Sequence, residues 1–541
     1  SKNIDIMVEL INHGVYLLNG NEIRDNYQGM TPDEARENTI TYGILRSHDV
    51  DGGKGNKMRI RFDAMMSHDI TYVGIIQTAR ASGLEEFPLP YAMTNCHNSL
   101  CAVGGTINED DHVFGLSAAK KYGGIYVPAN QAVIHQYARE MMVKCGNMIL
   151  GSDSHTRYGS LGNMGVGEGG GELVKQLLKN TWDINAPEVV LVWLEGAPKK
   201  GVGPHDVAIS LVKATFESGV VKNKVLEFAG PGVKNLPIDF RNGIDIMTTE
   251  TTCLSSIWIT DDEVKHHYEI HERPQDYREL KPGDVAYYDM MIRIDLSTQE
   301  SMIALPFHPS NAVTIHELQA DPVGILTRIE EDAKKRFGDK VDVHLVDKVV
   351  DGKVQADQGI IAGCSGGTYD NLAEAAAILK GKNIGNDYFT ASAYPQSTPV
   401  SMAVTREGIT ADLIEAGVVM KPAFCGPCFG AGDVPSNNGL SIRHTTRNFP
   451  NREGSKPGQG QLSLVALMDA RSIAATAANG GVITAATDVE YENTHKPYVY
   501  DDKIYKCRVY NGFGKARPET ELRYGPNRSE ERRVGKECRS R

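Results

Sequence analysis

Cys425 and Cys428 stand in FCGPCFG, Phe424 to Gly430, at a C-x-x-C spacing with Gly and Pro between them. That spacing lets two sulfurs point at one metal ion or cluster, and the glycines leave room for it. The same spacing serves a thioredoxin-like redox pair or half of a zinc site. A redox pair should open a helix directly after a strand, whereas this glycine-flanked stretch reads as a loop. Zinc wants a second C-x-x-C or C-x-x-H pair, and the sequence offers neither. The nearest third thiol is Cys364 in GIIAGCSGG. Groups suited to proton transfer stand in GSDSHT, Gly151 to Thr156, which carries Asp153 and His155, and at His135. Read alone, GSDSHT is a turn rich in capping residues, and His135 is a core histidine on an apolar helix.

These residues need elements to hold them. Short apolar runs alternate with helical periodicity, as in the strand pattern PEVVLVWLE, Pro187 to Glu195, followed by the helix pattern Asp206 to Ser218. That alternation predicts α/β layers. QAVIHQYAREMMVKC reads as a helix capped by Asn130 and stopped by Gly146. GIIAGCSGG runs from a buried strand into a Gly-rich turn, with a helix over Tyr369 to Lys380. Cys364 therefore falls where a strand ends and a helix begins, the usual ligand position of an open α/β sheet. GVGEGGGE, Gly165 to Glu172, lacks the Walker Lys and the dinucleotide spacing, so close helix packing beside a site is the expectation. Gly/Pro-rich EGAPKKGVGP, Glu195 to Pro204, and a less regular stretch near Leu318 to Ile325 suggest domain boundaries. The expected spans are 1–200, 201–320 and 321–527.

With 541 residues, three or four domains fit. The net charge of −12 opposes nucleic-acid binding, which Lys and Arg must carry. No run of ~18 apolar residues suggests a membrane span and no secretory leader is legible, so the expected location is the cytoplasm, where thiols stay reduced. Arg528 to Arg541, RSEERRVGKECRSR, is dense in charge with little to bury and reads as a non-native tail. His68, His205, His266, His267, His271, His308 and His444 read as surface or capping residues. Cys101, Cys145, Cys253 and Cys507 read as core thiols.

Seven motifs in order resemble the aconitase and isopropylmalate isomerase hydro-lyases: NCHN (Asn95 to Asn98), IHQ (Ile134 to Gln136), GSDSHT, the Glu250 segment, AGCS (Ala362 to Ser365), CGPC (Cys425 to Cys428) and TRNFPNR (Thr446 to Arg452). The resemblance implies a three-layer α/β/α core of three related domains around a central cluster cleft. It implies a 4Fe-4S cluster on Cys364, Cys425 and Cys428 with one iron free of protein ligands. It implies acid/imidazole pairs, Asp153 with His135 and Glu250 with His155, a further catalytic His97, and carboxylate clamps at Arg447 and Arg452. Cys96 stands where the family has an Asp beside His97. Phe62 and Ile246 are expected at two further polar substrate positions, so citrate is not a safe assignment. The family's swivel domain, with the Ser general base, would follow residue 527 or be supplied in trans by a small subunit, and without it the chain is expected to be inactive. The implied function is a hydro-lyase acting on a small hydroxy-polycarboxylic acid. The alternatives are an isopropylmalate isomerase-type large subunit, or a non-catalytic iron-sulfur sensor or RNA-binding regulator, which the negative charge disfavours.

Overall fold

The computed structural model describes residues 2–53, 55–97, 101–102, 104–450, 460 and 462–526. Arg452, Asn98 and the tail 528–541 lie outside the described residues. Three largely parallel sheets with packed helices form the molecule, which is the α/β architecture expected from the alternating pattern.

The first sheet is doubly wound. Strand Ala64–His68 lies in its interior, with Tyr91–Thr94 and then Ile125–Val127 on one side and Met148–Gly151 and then Met164–Gly167 on the other, all parallel. Chain connections therefore diverge between Ala64–His68 and Met148–Gly151, leaving a crevice at the carboxyl ends of these two strands. His68 ends one of them, and Ser152, Asp153 and His155 follow the other. The seven-stranded sheet repeats the plan. Gln358–Ile361 pairs in parallel with Thr390–Ala393 and with Gly439–His444, so the turn bearing Cys364 and the turn bearing Thr446 and Arg447 leave adjacent strand ends.

The third sheet orders Val8–Ile11, Met290–Asp295, Val189–Glu195, Val225–Ala229 and Ser255–Trp258. Val189 to Leu194 are buried at every position, as a parallel strand covered on both faces must be. Each such Val or Leu contributes about 1.5–3 kcal/mol relative to exposure. The sheets interleave along the chain: Val189–Glu195, inside the span 1–200, pairs with Val225–Ala229, and Tyr510–Asn511 closes the edge of the first sheet.

Three local expectations are corrected. The helix bearing His135 is Ile134–Met141, with Val133 and not Asn130 at its N-cap, and it ends at Met141, short of the expected stop at Gly146. Backbone pairing of Ala132 with Ser397 and of the Val133 N–H with the Gln396 carbonyl holds the preceding residues extended, while Asn130 donates its side-chain amide to the Ala423 carbonyl at 3.0 Å. The stretch near Leu318 to Ile325 is helical, Ile315–Ala320 followed by Pro322–Phe337, with the break at Asp321 capping the second helix. Of the remaining thiols, Cys145 and Cys253 are buried as expected, but Cys101 is half-buried and Cys507 exposed.

Candidate functional site

A cavity of about 380 Å³ opens where the first and seven-stranded sheets present their strand ends to each other. Its lining includes His68, His97, His135, Asp153 and His155 from one side and Cys364, Cys425, Cys428, Phe429 and Arg447 from the other. Residues up to 379 positions apart in sequence, His68 and Arg447, thus face one space because both switch points do.

The thiol group is built from two turns. Cys364 lies in the single helical turn Gly363–Gly366, and its carbonyl accepts from Arg139 Nη1 at 3.0 Å and Gln396 Nε2 at 2.7 Å. Cys425 caps and Cys428 ends a 3₁₀ turn, Gly426–Cys428, tied down by the Cys425 N–H to the Cys96 carbonyl (2.7 Å) and by Arg443 Nη1 to the Pro427 carbonyl (3.0 Å). Gly363 has φ +75°, and a Cβ there would meet Cys428 Sγ at 2.4 Å, so a glycine lets the two turns close on one another. Burial, with Cys428 nearby, pushes the Cys364 thiol up to about 12, and hydrogen bonding to Cys428 together with burial raises that of Cys425 well above the ordinary value. Three convergent thiols, with those of Cys364 and Cys425 held protonated, fit a metal or cluster whose binding displaces protons, and suit a nucleophilic cysteine poorly.

Two carboxylate–imidazole pairs face the thiols. His135 Nε2 lies 2.9 Å from Asp153 Oδ1, and His135 Nδ1 is 2.8 Å from the Tyr158 hydroxyl. Asp153 Oδ1 also accepts the His155 N–H at 2.8 Å. His155 Nε2 lies 2.6 Å from Glu250 Oε1, which accepts Arg447 Nε at 2.7 Å; Arg447 Nη2 reaches Ser154 Oγ at 3.1 Å. Burial raises both carboxyls, but the imidazoles outweigh it: the His135 hydrogen bond and the nearby His68 and His155 rings hold Asp153 well below the usual range, and His155 with Arg447 lowers Glu250. Burial lowers His135 despite Asp153. Burial and the neighbouring His68 bring His97 down to about 3. Both carboxylates are thus ionised at neutral pH, with His135 and His97 neutral. The glycines of Gly165 to Glu172 fit the packing expectation, since a Cβ on Gly167 would lie 2.4 Å from the Asp153 carbonyl.

A model of the aconitase family (aconitate hydratase) matches residues 42–475, most of the chain. The chain belongs to the aconitase family. Among its relatives in this family, a 3-isopropylmalate dehydratase large subunit of Elusimicrobium minutum is 27% identical over 63% of this chain and 73% of its own length. The mitochondrial aconitate hydratase of Schizosaccharomyces pombe is 26% identical over 81% of this chain, which spans 56% of that protein. A 3-isopropylmalate dehydratase large subunit of Thermotoga maritima is 25% identical over 79% of this chain and 93% of its own length. No helix among the described residues is long and apolar enough to cross a membrane.

Within this family frame the structure brings together His97, His135, Asp153, His155, Glu250, Arg447 and the three cysteines, while Arg452 lies outside the described residues. It corrects several readings. His68 is no surface histidine: it is 5% exposed, lines the cavity and stacks on His97 at 4.1 Å. Its sequence signal was the last position of the apolar run AMMSH, a strand end at a sheet switch point. Phe62 does not reach the cavity; it packs against Trp182 at 5.4 Å, where it fills core. Ile246 is likewise fully buried at the end of helix Ile238–Ile246, away from the lining. His205, His267, His271 and His444 are buried, His205 stacked on His444 at 4.0 Å and His267 packed at a tilt against His271 at 4.1 Å. His308 stacks on Phe216 and Phe449.

Proposed function

We propose that this chain is the cluster-bearing part of a hydro-lyase that removes water from, or adds it to, a small hydroxy acid with at least two carboxylates. The observation that carries the reading is the convergence of three thiols, two carboxylate–imidazole pairs and one guanidinium on a single 380 Å³ cavity. Cys364, Cys425 and Cys428 would hold a 4Fe-4S cluster. With three protein ligands, such a cluster would supply Lewis-acid chemistry toward a hydroxyl leaving group.

The remaining chemistry belongs to side chains. Expelling hydroxide needs a proton at the departing oxygen, and the His155 imidazole, backed by the ionised Glu250, is the donor, while neutral His135 holds the Asp153 carboxylate in place. Asp153 fixes His135 from one ring nitrogen while the Tyr158 hydroxyl fixes the other, so the ring orientation is set before substrate arrives. Arg447, held by Glu250 and Ser154, keeps Nη1 for a substrate carboxylate. His97 faces the cavity without the neighbouring carboxylate, since Cys96 precedes it, and its ring is held by stacking on Phe429. By likeness to the large-subunit relatives, a further domain or a small subunit would cover the cavity and supply the carbon-proton base, in a reducing compartment such as the cytoplasm.

The test is binding of citrate and of 2-isopropylmalate to the cluster-loaded chain by calorimetry, with and without Arg447→Met. The reading expects at least one of these acids to bind and Arg447→Met to weaken it by at least tenfold. Absence of binding by both acids to the loaded chain overturns it.

A further inference from the structure

Asp153 uses only one of its oxygens in the network described above. Oδ1 is occupied by His135 and the His155 N–H, which fixes the carboxylate plane and turns Oδ2 toward two other imidazoles. His68 Nε2 stands 3.5 Å from Oδ2 and His97 Nε2 3.7 Å from it, longer than the roughly 2.7–3.2 Å of a good N–H···O bond. On the far side of each ring, Nδ1 is buried and has no hydrogen-bond partner. Hydrogen bonding therefore does not account for two polar rings at this position. Ring packing holds them in place: His68 stacks on His97 at 4.1 Å, and His97 stacks on Phe429 at 4.7 Å with planes 7° apart.

We propose that His68, His97 and Asp153 bind a divalent first-row transition metal, zinc or ferrous iron, with an open coordination position facing the cavity. The three ligand atoms lie within 4.8 Å of one another. Ligands about 2.0–2.2 Å from a tetrahedral ion stand roughly 3.3–3.6 Å apart, close to the 3.5 and 3.7 Å edges found here. Two imidazoles and a carboxylate with open positions make up the donor set of a catalytic ion, where a structural zinc would close all four positions. The second Asp153 oxygen, bonded to His135, supplies the outer contact that orients the ligating one. The ion would offer its open position to a substrate carboxylate across the cavity from Arg447, and His97 would serve as a ligand in place of moving a proton. The site goes beyond the hydro-lyase reading and needs none of the three cysteines.

The experiment is anaerobic titration of the full chain carrying Cys425→Ser and Cys428→Ser with Co2+, followed by competition with Zn2+. One Co2+ per chain is expected, with the visible absorbance of a four-coordinate ion, no sulfur-to-metal charge-transfer band, and displacement by Zn2+. His68→Ala and the closer-shaped His68→Gln, in the same background, should each weaken binding by about 100-fold or more. Failure of the Cys425→Ser/Cys428→Ser chain to bind Co2+, a charge-transfer band showing a thiolate ligand, or unchanged affinity in folded His68→Gln overturns the site. Iron and sulfide content of the reconstituted wild-type chain reads the cluster separately, so either assignment can fail while the other stands.

Discussion

Gly363→Ala is a one-carbon perturbation aimed at the junction of the two thiol turns. At φ +75° an alanine sits in the left-handed region, which costs about 1–2 kcal/mol. The added Cβ would also stand 2.4 Å from Cys428 Sγ, whereas ordinary contact begins at 3.4 Å, so sulfur and Cβ must separate by 1.0 Å. Metal–thiolate bonds tolerate only about 0.2 Å of error around ~2.3 Å. A 1.0 Å displacement of one ligand in three is therefore several times what cluster assembly accepts, while the folding cost stays small beside a typical total stability of about 5–15 kcal/mol. The expected result after anaerobic reconstitution is iron and sulfide far below the wild-type content, with cooperative thermal unfolding retained and Tm lowered by a few degrees. Full loading with wild-type visible absorbance would refute the argument that Gly363 exists to let Cys428 approach. Loss of folding would show that the strain had been underestimated.

Glu250→Gln removes the charge behind His155 and one anchor of Arg447; kcat in a partner-complemented assay should fall by ~10²–10⁴, with KM for a dicarboxylate raised as well. Phe62→Gln buries an amide among apolar neighbours and should destabilise by about 2–5 kcal/mol with no change in the preference between citrate and 2-isopropylmalate, read by denaturation and by calorimetry on the loaded chain. Glu140 is a buried carboxyl pushed by burial from 4.5 up to about 8, with Tyr505 and Ser397 donating to it. The unfolded chain ionises first, so this group withdraws stability as pH rises from about 4.5 to 8, by ~5 kcal/mol at most. Glu140→Gln should flatten the decline in Tm between pH 5 and 8, and an unchanged slope would contradict the burial argument.

The α/β layering and the place of Cys364 were legible because a buried strand, a Gly-rich turn and an Ala/Leu-rich helix follow one another within Gln358 to Leu379. The C-x-x-C spacing points at a metal or cluster on its own, but the carboxylate pairs are legible only through the order of motifs, since nothing local in GSDSHT distinguishes a capping turn from a site. The start of helix Ile134–Met141 was not legible because the competing partner of the preceding backbone, Gln396 and Ser397, lies 263 to 265 residues away in sequence from Val133 and Ala132. His68 was missed for a similar reason. Its burial follows from lying at the carboxyl end of an interior strand, and strand order in a sheet is a long-range property. Phe62 was placed at the substrate by its position relative to the motifs, yet it lies just before strand Ala64–His68 begins, and the strand's length carries the next cavity-facing side chain to His68.

The proposed function stands on three cysteines of one cavity holding an iron-sulfur cluster with one iron unligated by protein. Anaerobic reconstitution with iron and sulfide, followed by metal analysis and EPR before and after brief exposure to air, tests it most directly. Expected are about four irons per chain, loss of assembly in Cys364→Ser, Cys425→Ser and Cys428→Ser alike, and a paramagnetic three-iron form as air removes the open iron. A wild-type chain that takes up one zinc at these cysteines, with no visible absorbance and no iron, would contradict it.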